Sequence, residues 1–84
     1  MSEKSLWVII PAYNEEKHIT KVIRNTKKYC SNIVVVDDGS RDKTYSSAVK
    51  GGAIALKHVV NLGKGAAVKT GADYAVANGA KTLI

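Results

Sequence analysis

Apolar residues along this chain recur with two different periods. Leu6–Ile10 is a short apolar run rich in β-branched residues, which predicts a buried strand stopped by Pro11. From Asn14 the period changes. Ile19, Val22, Ile23, Thr26 and Cys30 recur at three- and four-residue spacing, the signature of one helix face. Asn14 is the expected N-cap of that helix, with Glu15 and Glu16 in the first turn and Lys27 and Lys28 in the last. Ile33–Asp37 reads as a second buried strand. A short helix is expected from about Asp42, its favoured cap, to Lys50, ended by Gly51 and Gly52. A third strand falls within Ala53–Lys57, and a third helix runs from about Gly63 to Asn78. Ala67, Val68, Gly71, Ala72, Ala75 and Val76 form the small apolar face of that helix, and Asn78-Gly79 is its stop. Lys81–Ile84 begins a fourth strand.

Strands apolar throughout, alternating with helices, predict a parallel sheet covered on both faces. Such sheets bind ligands beyond the carboxyl ends of their strands. Three segments are placed there: PAYNEE after the first strand, DDGSRDKT after the second and HVVNLGKG after the third.

Composition narrows the picture without changing it. At 84 residues the chain makes one domain with a thin core. No run of apolar residues is long enough to span a membrane, and the WVII stretch is too short for a signal-peptide core. The single cysteine, Cys30, excludes an internal disulfide framework and fits a reducing compartment. The net charge of +6 comes from lysines spread along the chain, with no basic patch interleaved with aromatics. That spread disfavours nucleic acid as a partner and leaves a solvated surface, an anionic membrane face or an anionic small molecule.

The loop Asn61–Gly65 invites comparison with phosphate-binding glycine loops, and fails both templates. A P-loop would need glycine at position 58 and Ser or Thr at 65, where this chain has His58 and Gly65. The dinucleotide fingerprint would need a small residue where Val68 stands, and would follow the first strand rather than the third. What remains is a helix N-terminus with a close-approach backbone and one cation, Lys64, which suits an anion or an ordinary tight turn. Asp37 and Asp38 end a buried strand; one carboxylate there can accept the N–H of an imide such as uracil, or the pair could hold a divalent ion. In the first loop, Ala12 and Tyr13 can present backbone and ring to a flat base, with Glu15 reaching a sugar or base group. His18 reads as an exposed helix residue, and His58 as an ordinary strand-end residue without a role.

Taken in order, VIIPAYNEE, IVVVDDGSRDKT and HVVNLGKGAAVKTG resemble the N-terminal nucleotide-binding half of family 2, GT-A-fold glycosyltransferases. The NLGKGAA form is most similar to the dolichyl- and polyprenyl-phosphate mannosyl- and glucosyltransferase group. The resemblance covers Leu6 to Ile84. It implies a three-layer α/β/α domain over residues 1–84, Rossmann-like, with parallel strand order 3-2-1-4. It also implies a UDP- or GDP-linked sugar donor at the carboxyl edge of the sheet, in an enzyme of inverting transfer to a polyprenyl phosphate or related acceptor. Carried onto this chain, Pro11, Ala12, Tyr13 and Glu15 would line base and ribose. Asp38 would bond the base with Asp37 beside it, and Gly63 and Lys64 would close over the base toward the diphosphate.

The family's fourth strand leads into an Asp-x-Asp motif that holds Mg²⁺ or Mn²⁺, followed by a catalytic base. Neither motif nor base is found before Ile84, and Asp73 lies mid-helix. These residues alone are therefore expected to hold no metal and to be inactive. The alternative is a non-catalytic nucleotide-binding or self-associating module. The outer sheet edge is expected to pair with a second copy, and the protein to be cytoplasmic, at the cytoplasmic face of a membrane in a full-length relative.

Overall fold

The computed structural model describes residues 5–84. Strands and helices alternate: β1 (Leu6–Ala12), α1 (Ile19–Thr26), β2 (Ile33–Asp38), α2 (Thr44–Lys50), β3 (Ile54–His58), α3 (Lys64–Ala77) and β4 (Thr82–Leu83). The strands form one parallel sheet in the order β3-β2-β1-β4, as expected.

β2 is central, and all of its residues are buried. Its side chains alternate between two cores, as strand geometry requires. Ile33 and Val35 pack with Ala12, Ile19, Ile23 and Ala48 beneath α1 and α2. Val34 and Val36 pack with Trp7, Ala67 and Ala75 beneath α3. The same alternation sends Asp37 toward the α1–α2 side and Asp38 toward α3. The two adjacent acids thus serve different faces of the sheet.

α3 meets the sheet through Ala67, Gly71 and Ala75. A Cβ at Gly71 would lie 2.5 Å from Ile9 Cγ2 and 3.1 Å from Val36 Cγ2, so a side chain there is excluded by proximity. The close approach narrows the buried stripe, and Val68 and Val76, expected on the packed face, are exposed.

Three boundaries differ from expectation for identifiable reasons. Pro11 does not stop β1, because the strand continues to Ala12, with Pro11 beside Val36 and Ala12 beside Asp37. The Ile9 amide donates toward β4, to the Ile84 carbonyl at 2.9 Å. Pro11 lies two residues further on and so faces the same side. Among the described residues no strand flanks it there, and its missing N–H costs no ladder bond.

α1 starts at Ile19 with His18 as its N-cap, rather than at Asn14. Residues 15–18 form a turn in which the His18 and Ile19 amides donate to the Glu15 carbonyl, and Asn14 is left-handed at φ 53°. The amides of Asn14, Glu15 and Glu16 are taken instead by side chains from the β2–α2 loop. α2 begins after Lys43, so Asp42 lies one residue before the N-cap position. It still accepts from the Thr44 amide, 3.0 Å away.

Candidate functional site

A cleft of about 560 Å³ opens at the carboxyl edge of the sheet. It is lined by Pro11, Ala12, Tyr13 and Glu15 from the first loop, Asp38 from the second, and Asn61, Gly63 and Lys64 from the third, with Ile10, Ile19 and Val22 behind them. Every candidate residue except Asp37 therefore borders one space.

Two sets of hydrogen bonds hold the walls. The first ties the opening loop to the β2–α2 loop. Asn14 N donates to Ser40 Oγ at 2.8 Å, Glu15 N to Thr44 Oγ1 at 2.9 Å and Glu16 N to Asp42 Oδ2 at 3.2 Å. In return, Arg41 N donates to Asn14 Oδ1 at 3.0 Å and Lys43 N to Glu16 Oε1 at 3.1 Å. Thr44 Oγ1 also donates to Asp42 Oδ1. Asp42 accepts from every side, and its carboxyl sits below the usual range because of the Thr44 hydroxyl bond first, with the Glu16 and Thr44 amides adding and burial opposing. The clasp fixes the backbone just after Tyr13, and strand pairing of Ala12 with Asp37 fixes it just before; the Tyr13 ring is half-exposed on the cleft wall.

The second set centres on Asp38, 4% exposed. Its Oδ1 accepts from Leu62 N at 2.9 Å and from His58 Nδ1 at 2.8 Å, and its Oδ2 accepts from Gly63 N at 2.8 Å. The far side of the His58 ring, Nε2, lies 2.8 Å from Thr70 Oγ1 in α3. Since Nδ1 faces a carboxylate acceptor, it carries a proton and donates to Asp38, while Nε2 pairs with the Thr70 hydroxyl. The His58 bond, then the Leu62 and Gly63 amides, hold the Asp38 carboxyl below the usual carboxylate range against the opposing effect of burial.

His58 is thus a bridge between β2 and α3 rather than an ordinary strand end. The signal for it lay in the register. Asp38 and His58 are partners at the ends of adjacent parallel strands, which places their side chains on the same face.

Asp37 does not join the cleft. It is fully buried on the other face of the sheet, where Oδ1 accepts from Ser40 N at 3.0 Å and Oδ2 has no partner among the described residues. It shapes the DDGS turn and leaves the cleft to its neighbour. His18, exposed as expected, lies 3.5 Å from Glu15 Oε2.

The third loop is fitted to the second through glycines. Gly39 has φ +76°, and a Cβ on it would collide with the backbone of Val60 and Asn61. Gly63 has φ +105° and ψ 158°, a conformation essentially confined to glycine. It turns the chain from the Asp38 contacts directly into α3.

The cleft's carboxylates are Glu15 and Asp38, and three hydrogen bonds already occupy Asp38. Among the described residues no group of three or more His, Cys, Asp or Glu is arranged to hold a metal ion. The acids present do not fit a divalent ion.

Comparison with known proteins places this architecture. Residues 7–78 match the family described as glycosyl transferase family 2. An uncharacterized protein of Methanocaldococcus jannaschii is 44% identical over the whole chain, which covers 35% of that protein. The UDP-N-acetylglucosamine–dolichyl-phosphate N-acetylglucosaminyltransferase of Methanococcus voltae is 38% identical, again over the whole chain and 41% of the relative. Among solved structures, glucosyl-3-phosphoglycerate synthase of Mycobacterium tuberculosis, crystallised with Mn²⁺, UDP and glucosyl-3-phosphoglycerate, superimposes with a TM-score of 0.68. It is 25% identical, over 95% of this chain and 32% of that one.

This chain belongs to glycosyl transferase family 2, and its parallel sheet is the corresponding part of a GT-A fold. It spans between a third and about two fifths of the length of these curated relatives.

Proposed function

We propose that these residues form the donor-binding wall of an inverting glycosyltransferase that takes a sugar from a UDP- or GDP-linked donor to a polyprenyl phosphate or related acceptor. The observation that carries this is the convergence of three loops on one cleft at the carboxyl edge of the sheet. The relatives' action on dolichyl phosphate and the UDP bound in the structural neighbour support it.

In this reading Pro11, Ala12 and Tyr13 offer a flat apolar wall to the base, and Glu15 accepts from the ribose hydroxyls. Asp38 accepts an N–H from the base edge. Gly63 lets the backbone approach, and the Lys64 ammonium offsets diphosphate charge at the start of α3. The neighbour's Mn²⁺ supports a metal-assisted transfer in the whole protein, with ligands other than the residues described. None of the cleft residues is assigned the role of catalytic base.

Two further parts of the proposal concern surroundings. β3 and β4 are the outer strands of the sheet, and a second copy pairing at an open edge would make a homo-oligomer. The excess of basic residues supports a cytoplasmic place at an anionic membrane face, by peripheral contact. Among the described residues no helix is long and apolar enough to cross a membrane.

Isothermal titration of the folded chain with UDP and GDP tests the donor site. Binding of either nucleotide, weakened at least about tenfold by Lys64→Ala, supports it. Absence of heat with both at millimolar ligand, with folding verified by circular dichroism, rejects it.

A further inference from the structure

The hydrogen bonds around Asp38 carry more information than its place on the cleft wall. An ionised carboxylate offers about four acceptor positions, two on each oxygen. On Oδ1 both are filled, by the Leu62 amide and the His58 imidazole N–H. On Oδ2 one is filled, by the Gly63 amide. Among the described residues none fills the remaining acceptor position, on Oδ2, of this residue that borders the cleft.

We propose that this single open position makes the cleft selective for a uridine over a guanosine nucleotide, with His58 as the positioning residue that sets the selectivity. The proposal rests on the donor-site reading above and narrows it. Guanine presents two adjacent donors on its pairing edge, N1–H and the N2 amino group, which a carboxylate satisfies with both oxygens side by side. Asp38 has no free position on Oδ1, so a guanine seated against it leaves one donor desolvated and unpaired, at a cost. Uracil presents one donor, N3–H, between two carbonyl oxygens. The one open position on Oδ2 matches that donor, and Asn61 and Lys64, both on the cleft wall, carry N–H groups of the kind its flanking carbonyls accept.

His58 enters because, among the described residues, it is the one side-chain donor to Asp38; the other two donors are backbone amides. Thr70 on its far side and strand register on its near side hold the ring in place. The ring fills the second position on Oδ1 and fixes the carboxylate so that only Oδ2 is open. Removing it frees an acceptor position for a second base donor.

The test compares UDP, GDP and N3-methyl-UDP by isothermal titration on the 84-residue chain, with His58→Ala and His58→Gln beside it. The wild-type chain is expected to bind UDP at least about tenfold tighter than GDP, and to lose about tenfold on N3 methylation, which deletes the single donor. His58→Ala is expected to shrink the UDP-to-GDP preference severalfold. His58→Gln, which keeps an N–H able to reach Asp38, should retain most of it. A merely structural role for His58 would weaken both nucleotides together and leave their ratio alone, and that result would overturn its part in selectivity.

Equal binding of UDP and GDP, or of UDP and its N3-methyl analogue, overturns the inference while the donor site stands. Binding of neither nucleotide removes the donor site itself, and the inference with it. Should His58→Ala fail to fold, the methylated analogue and the glutamine variant still decide the matter.

Discussion

Asp38 and His58 sit side by side at the carboxyl ends of β2 and β3, in register, with Oδ1 and Nδ1 2.8 Å apart. The pair joins three parts of the molecule. Asp38 reaches forward to the amides of Leu62 and Gly63, and His58 reaches back to Thr70 in α3. A strand end, a loop and a helix are locked around one carboxylate that also faces the cleft.

Acid should therefore loosen the protein at this point and at Asp42. Both carboxyls titrate below their ordinary value in the folded chain. As pH falls, the unfolded chain takes up their protons first. Their stabilisation is complete above the ordinary carboxylate pKa and is lost as pH drops through the lowered folded values. Urea midpoints measured from neutral pH downward should fall steeply only below the ordinary carboxylate range. Asp38→Asn should flatten that fall, and an unchanged profile would contradict the role given to the carboxylate.

Gly39→Ala combines two penalties, a positive φ and a clash with the backbone of Val60 and Asn61. A loss of about 2 kcal/mol or more is expected, read as a lower thermal midpoint. Since the displaced backbone leads to Leu62 and Gly63, nucleotide binding should weaken with it.

Two glycines of α3 should respond in opposite directions to alanine. At Gly71 the new methyl would strike Ile9 and Val36, whereas at Gly65 nothing lies within 4 Å. Gly71→Ala should destabilise by about 1–3 kcal/mol through overpacking. Gly65→Ala should be neutral or stabilising by up to about 1 kcal/mol through helix propensity. Chemical denaturation of the two variants side by side checks the sign of each.

Thr44→Val tests the clasp between the first two loops. Thr44 is fully buried, and its hydroxyl accepts from Glu15 N while donating to Asp42. Valine keeps the volume and leaves the Glu15 amide without that acceptor, at a cost of about 1–3 kcal/mol. Amide exchange should accelerate at Glu15 and Glu16 ahead of the sheet core. Uniform exchange across the chain would mean that the clasp has no local stability of its own.

Pairing at the sheet edges is checked by light scattering across a wide concentration range. A mass rising toward that of a dimer is expected, and a monomeric mass throughout would contradict self-association.

Legibility in the sequence followed the physics of each element. The buried strands were clear because β2 is apolar until its last two residues, and the sheet order followed from the resemblance. The meeting of Tyr13, Glu15, Asp38, Gly63 and Lys64 was legible for the same reason, since parallel strands put all their exit loops on one edge.

The clasp was not legible. Asn14 has the composition of an N-cap, and local propensity cannot show that its amide is taken by Ser40, far along the chain. Asp37 and Asp38 look equivalent as letters, both are buried, and only the alternation of a strand sends one to the cleft and the other to the opposite face. His58 became meaningful only once β3 was placed in register beside β2.

Trp7 is the only tryptophan of the chain. It is 6% exposed in the core under α3, edge-on to the Tyr74 ring at 6.2 Å. Its place near the start of β1 puts it about 20 Å along the strand direction from Tyr13 at the cleft. Tryptophan emission is thus an intrinsic optical gauge of whether α3 is docked on the sheet, well separated from the cleft. Unfolding should shift it to longer wavelength as the indole meets water, whereas nucleotide should leave it nearly unchanged. Fold integrity and ligand occupancy can then be followed independently in one sample, by light for the first and by heat for the second.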